Sequence, residues 1–174
     1  MTTVIRAMTA EDMPVLVATK GGAAWNGGAE KWTGYLADQI SEQRIVLLAA
    51  RGSAILGYGS LLWVSGYPPF RNERIPEIKD VVVAERERRC GVGTALISAL
   101  EERAGADGYA RIGIAVGLYG DYGPAQRLYV RRGFIPDGRG MTYGGSPTPG
   151  GVKVKVDDDL LLWLVKSLRT DAAR

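Results

Sequence analysis

Residues 80–96 constrain the chain more than any other stretch. They read DVVVAERERRCGVGTAL: an apolar run at Val81, Val82 and Val83, a charged stretch, then Gly91 and Gly93. The run 92–104 follows at once, with Val92, Ala95, Leu96, Ala99 and Leu100 on one face at helical spacing. A strand that passes through a tight turn straight into an amphipathic helix buries both apolar faces in a layered fold of sheet and helices. The junction also has a chemical consequence. The first backbone N–H groups of a helix have no carbonyl partner within it, and the helix dipole adds positive potential there. A phosphate is stabilised at such a place. Glycine lets it approach the backbone, and Arg88 and Arg89 add charge. A plain strand–turn–helix uses glycines too, so the spacing alone leaves both readings open. The pattern is not a Walker loop, because no Gly-Lys-Ser/Thr follows, and it lacks the third glycine and later acid of the dinucleotide fingerprint.

The other elements are read outward from this junction. Residues 4–8 are an edge strand. Thr9 and Asp12 mark a helix start; that helix carries Met13, Val15, Leu16 and Val17 and ends near Gly21-Gly22. Trp25-Asn26-Gly27-Gly28 is a loop, and residues 29–42 are a second helix with Trp32, Leu36 and Ile40 on one face. Residues 45–50 and 54–64 form a hairpin about Arg51-Gly52-Ser53. The stretch 65–72, with Pro68 and Pro69, is too rich in proline to be regular. Residues 78–83 are a buried strand and 110–116 a further strand. Pro124 opens a short helix over 124–132, which Gly133 ends in the left-handed cap position so that Phe134 folds back on the last turn. Residues 142–151 are a Gly- and Pro-rich loop, 160–165 a last buried strand and 169–174 a frayed tail. Strands alternate with helices only in the second half. The expected fold is therefore α/β in the sense of an α+β mixed sheet: a central sheet of six to seven strands with helices on both faces, as one domain over residues 1–174.

Composition closes off several functions. The formal charge of +3 suits a small anionic ligand but falls short of the basic stripe of a nucleic-acid binder, so no nucleic-acid partner is expected. No apolar run reaches the roughly eighteen residues of a membrane span, and the N-terminus lacks the pattern of a signal peptide. The single cysteine, Cys90, forms no intrachain disulfide and suits a reducing, cytoplasmic setting. The chain has no histidine, which removes every mechanism with a His base and makes a metal centre unexpected.

Two segments together carry a family resemblance. Arg88-x-x-Gly91-x-Gly93 after a strand resembles the acetyl-CoA signature of the GCN5-related N-acetyltransferases, the GNAT superfamily. The run Ala125-Gln126-Arg127-Leu128-Tyr129-Val130-Arg131-Arg132-Gly133-Phe134 is similar to that family's Ala-x-x-Leu-Tyr-x-x-x-Gly-Phe helix. The motifs stand in the family's order, and the likeness spans residues 77–135.

The resemblance implies a GNAT-like acyl-CoA N-acyltransferase with acetyl-CoA as cosubstrate. Main-chain N–H groups of Arg88, Arg89, Cys90, Gly91, Val92, Gly93 and Thr94 would hold the pyrophosphate. Main-chain atoms of Val81, Val82 and Val83 would pair with the pantetheine arm, in a gap between strands 78–83 and 110–116. Ala125 falls at a cofactor-contacting position. So does Tyr122, where many family members have an asparagine; Glu85 likewise replaces the usual proline. Tyr129 matches the general acid that protonates the leaving thiolate, and it is equally placed to be a core aromatic beside Ala125 and Leu128. With no histidine, a carboxylate or a water chain must take the amine's proton. Glu77 and Asp80 are the candidates; three apart on a strand, they point to opposite faces, so one faces the cleft. Cys90 is read as a small residue beside the pyrophosphate rather than an activated thiol. Arg127 and Arg131, one helical turn apart, either attract the 3′-phosphate or form a solvated face.

The acceptor is expected to be a small amine. Trp25, Trp32, Tyr67 and Phe70 stand in the regions that meet it in this family, with Tyr119, Tyr122 and Tyr143 from the other side, and aromatics with a few acids suit a cation. Trp32, at helical spacing with Leu36, fits the core better than the acceptor side. Two other readings remain: a non-catalytic coenzyme A-binding sensor or interaction protein, and a nucleotide-binding module using the glycine turn for another phosphate. The family's habit of dimerising extends to a homodimer here, through the last strands.

Overall fold

A computed structural model describes residues 2–18 and 28–168. The expectations placed on Gly21-Gly22, on Trp25 and on residues 169–174 lie outside the described residues. The chain divides into two compact units, each made of two separate stretches: Met1–Trp63 with Ile78–Arg103, and Val64–Glu77 with Ala104–Arg174.

The first unit is built on strands β1 (Val4–Ala7), β2 (Arg44–Arg51), β3 (Ala54–Leu62) and β4 (Glu77–Val83), neighbours in that order. β1, β2 and β3 are antiparallel; β2 and β3 close as a hairpin with Arg51 opposite Ala54 and Gly52 at φ 61°. β2 is buried along nearly its whole length, as its unbroken apolar run predicts. Helix α1 (Met13–Ala18) follows a short 3₁₀ turn, and the Asp12 carboxylate there accepts the Thr9 backbone N–H at 2.8 Å. Helix α2 (Ala29–Ile40) drives Trp32 into a core with Met8, Leu16, Val46, Leu48 and Tyr58.

α2 ends two residues before its expected end, and Ile40 is 76% exposed rather than on the buried face. Gln39 takes the inward position instead. Its amide donates to the Met8 carbonyl at 2.7 Å and accepts the Val46 N–H at 2.9 Å, filling backbone gaps an apolar side chain would leave open. Helix α4 (Val92–Ala106) buries Val92, Leu96, Ile97 and Leu100. Gly57 on β3 makes room for it: a Cβ there would meet the Val82 carbonyl at 2.8 Å and Val92 and Leu96 at 3.2 and 3.3 Å.

The second unit holds α3 (Pro68–Asn72), β5 (Arg111–Gly117), α5 (Gly123–Arg131), β6 (Ile135–Tyr143), β7 (Ser146–Pro147) and β8 (Leu160–Ser167), with strand order β5-β8-β6-β7. β5 with β8, β6 with β7 and β6 with β8 are antiparallel. The proline-rich stretch 65–72 is not irregular throughout. Pro68 and Pro69 sit in the first turn of α3, where a missing N–H costs nothing. α3 drops Phe70 onto Gly113, where any Cβ would meet the ring at 2.0 Å. Tyr67 stacks on Trp163 with centroids 4.0 Å apart, and Ile75 completes this core.

The strands number eight, not six to seven. β6 and β7 are the additions, and the loop expected over 142–151 contains the end of one and the whole of the other. β6 hides from periodicity because its register against β8 shifts between Pro136 and Met141, with Gly138 and Gly140 at φ 83° and 78°. Among the described residues, no helix is long and apolar enough to cross a membrane.

Candidate functional site

In the first unit, Asp80, Val81–Val83 and residues 88–94 stand in one sweep of β4, turn and α4. Asp80 has φ 55°, a left-handed backbone that Asp tolerates better than most residues. The strand loses its two-residue alternation there. Asp80, Val81, Val82 and Val83 are each half-buried, so the strand expected to be fully buried is not. The Tyr35 hydroxyl donates a short hydrogen bond to the Asp80 carboxylate. Arg44 Nη1 stands 4.0 Å from Asp80, donates to the Ser60 hydroxyl at 2.8 Å and, through Nε, pairs with Asp38 at 3.1 Å. Burial first, then the hydrogen bond to Asp80, raises the Tyr35 pKa well above the usual phenol value, so it remains a donor.

The turn after β4 is exposed from Arg88 to Gly91. Arg89 and Gly91 have φ 61° and 85°, and nothing lies within 4 Å of where a Gly91 Cβ would stand. The Arg88 guanidinium reaches back to the Val83 carbonyl at 3.4 Å, and Cys90 is an exposed thiol 3.5 Å from the Arg88 carbonyl. The Gly91 carbonyl accepts the Ala95 N–H at 2.9 Å, the first bond of α4. Val92, Gly93 and Thr94 therefore open the helix with N–H groups that have no intrahelical carbonyl. Glu87, just before the turn, pairs with Arg51 at 3.2 Å.

In the second unit, Glu77 is 3% exposed and accepts the Ser65 hydroxyl at 2.6 Å, while Ser65 also accepts the Tyr67 N–H at 3.0 Å. Tyr129 is 7% exposed, and burial alone pushes its pKa up to about 12. Its hydroxyl has no hydrogen-bond partner among the described residues. α5 ends as expected: Gly133 has φ 86°, its N–H reaches the Val130 carbonyl at 3.0 Å, and the Phe134 N–H reaches the Tyr129 carbonyl at 3.0 Å. Ala125 is half-buried on the same helix. The Tyr122 ring lies on Gly117, where a Cβ would clash at 2.4 Å. Its hydroxyl donates to Asp158 at 2.9 Å, and Tyr119 donates to the same carboxylate oxygen. Arg127 is exposed, and Arg131 Nε turns back to its carbonyl at 3.2 Å.

Two aromatics expected on the acceptor side, Tyr67 and Phe70, are core instead, at 5% and 1% exposed. Trp32 is 0% exposed, core as its spacing with Leu36 favours. Tyr143 is tied to Asp157 at 3.0 Å. Sequence reasoning also missed Lys31, Tyr35, Arg44, Tyr58 and Ser60 around Asp80, and Ser65 against Glu77. No local signal marks them, because Tyr35 and Asp80 are 45 residues apart in the chain.

The model of the acetyltransferase (GNAT) family matches residues 17–134, more than half of the chain. The chain belongs to the GNAT family of acetyltransferases. No curated protein matches it significantly. Solved structures share the GNAT fold. An N-acetyltransferase from Staphylococcus aureus Mu50 superposes with a TM-score of 0.71 at 14% identity, covering 97% of this chain and 100% of that one. The ribosomal-protein-alanine N-acetyltransferase from Brucella melitensis gives 0.68 at 24% identity, over 94% and 99%. The yncA protein from Salmonella typhimurium, solved with its cofactor acetyl-CoA, gives 0.67 at 19% identity, over 100% and 98%. The mixed α/β architecture of this GNAT protein is the one expected, with the strand count corrected to eight.

Proposed function

We propose that this GNAT protein moves the acetyl group of acetyl-CoA to a primary amine of a small acceptor, by direct attack in a ternary complex. The observation that carries this reading is the turn exposed over residues 88–91, with Gly91 at φ 85°, open space above it and a 15-residue helix beginning at Val92. A pyrophosphate fits such a turn. The N–H groups of residues 88–94 hold it, and Arg88 and Arg89 add charge. Main-chain atoms of Val81, Val82 and Val83 serve the pantetheine arm, and Ala125 and Tyr122 are further cofactor contacts. Tyr122 serves through its ring, since its hydroxyl is bound to Asp158.

Bound acetyl-CoA supplies an acetyl group already activated as a thioester. The protein's part is to move two protons. Asp80 takes the acceptor's proton, directly or through water: its side chain is 32% exposed, whereas Glu77 is closed in and occupied by Ser65. Glu77 then supports the start of β4. Tyr129, like any phenol, keeps its proton at neutral pH, and burial pushes its pKa further up, to about 12; its uncommitted hydroxyl donates to the departing sulfur.

Calorimetric titration with acetyl-CoA, coenzyme A and ATP tests the reading. Binding of both coenzyme A species with no response to ATP is expected. Folded protein that binds neither coenzyme A species overturns it, and binding without thiol release across an amine panel favours the non-catalytic sensor.

A further inference from the structure

Lysine side chains ordinarily keep their charged ends in water. Lys31, on α2, turns inward instead. Its Nζ lies 5.7, 5.2 and 5.2 Å from the ring centroids of Trp32, Tyr35 and Tyr58, all within the range of cation–π attraction. It also donates to the Tyr58 hydroxyl at 2.9 Å. Burial lowers the Lys31 pKa; the Asp80 charge works the other way and favours the ammonium, while the Arg44 charge adds to the lowering.

The rings form a fixed seat. Trp32 meets Tyr58 edge-on at 4.9 Å and Tyr35 at 5.7 Å, and both Trp32 and Tyr58 are 0% exposed. Tyr35 is anchored by its bond to Asp80 and by the Arg44 guanidinium 4.1 Å from its ring. The occupant is different, for Lys31 is only half-buried. A lysine side chain is an n-butylammonium group, so the seat already accepts the end of an unbranched alkyl amine.

We propose that the seat formed by Trp32, Tyr35, Tyr58 and Asp80 is the ammonium subsite of the acceptor, and that Lys31 is its internal stand-in. A primary amine on an unbranched alkyl chain displaces Lys31 and takes the same rings and the Tyr58 hydroxyl, which sets it beside the carboxylate assigned to receive its proton. The inference rests on the transferase reading and names the acceptor class.

Its test begins without cofactor. n-Butylammonium chloride is titrated into wild type, Lys31→Ala and Lys31→Ala/Tyr58→Phe, with n-butanol as the neutral isostere. Lys31→Ala should bind n-butylammonium about tenfold more tightly than wild type, and the double variant should lose several-fold of that gain. Equal affinity in wild type and Lys31→Ala overturns the proposal, as does equal binding of n-butanol or a gain that survives Tyr58→Phe. Wild type gives a second readout that needs no variant. Saturating n-butylammonium should raise the labelling of Lys31 by an acetylating reagent relative to the other lysines, and unchanged labelling overturns the displacement. In turnover, Lys31→Ala should lower KM for n-butylamine about tenfold with kcat changed less. Failure of acetyl-CoA to bind in the same calorimeter removes the transferase reading, whereas the cofactor-free titrations judge the seat separately.

Discussion

The proposed function gives Tyr129 and Asp80 two different protons, Asp80 accepting the acceptor's and Tyr129 donating its own to the departing sulfur. The sequence nominates both, but only the fold supplies the surroundings of each: burial around the Tyr129 ring, and Tyr35 with Arg44 at Asp80. Tyr129→Phe removes one hydroxyl from a buried ring and should lower kcat by about 10²-fold or more while leaving acetyl-CoA affinity within twofold, read by calorimetry beside thiol release. Asp80→Asn should cut kcat/KM by a similar factor of about 10². Unchanged turnover in either variant removes the assigned role. Asp12 bears on stability. The Arg6 guanidinium, 2.6 Å away, holds its pKa at about 2 against an ordinary 3.8. The folded form is thus the stronger acid, and the stabilisation is present above pH 3.8 and lost as pH falls through about 2. Asp12→Asn should melt below wild type at neutral pH, and the gap should close across that window.

At the scale of the element, glycines separate by what a methyl group would meet. Gly57 lies under the start of α4, with the Val82 carbonyl 2.8 Å from a would-be Cβ, and a backbone atom yields only if the strand or helix moves. Gly57→Ala should cost about 1–3 kcal/mol in denaturant unfolding. Gly34, inside α2, has nothing within 4 Å. Gly34→Ala should stabilise by about 0.5–1 kcal/mol, because alanine loses less conformational freedom in a helix. The reverse order of the two variants would show that α4 does not depend on close approach at Gly57. The same contrast explains why β6 was illegible. Two glycines at positive φ and a shifted register erase the alternation on which a strand is recognised.

For the whole molecule, the decisive feature is that each unit is assembled from two distant stretches of chain. A fragment ending at Trp63 retains β1, β2 and β3 but lacks β4 and α4, so the buried faces of Leu96 and Leu100 are missing from its packing. It should show no cooperative melting. The same fragment joined by a flexible linker to residues 78–103 should recover it, as followed by circular dichroism. If the shorter fragment melts cooperatively, β4 and α4 are dispensable to the unit.

The sequence by itself determined the family, the glycine turn, α4, α5 with its Gly133 cap, and most of the strands. These depend on residues that are neighbours along the chain, where hydrophobic period and backbone preference are written directly. Only the tertiary structure decided which carboxylate is open and which is closed, and which aromatics are core. Ser65 closes Glu77, and Tyr35 and Arg44 reach Asp80 from other elements. Tyr67 and Phe70 are packed away from solvent, while Lys31 is drawn in among rings that its own position does not predict. Those outcomes depend on burial and on partners tens of residues apart, and a linear pattern carries no record of either.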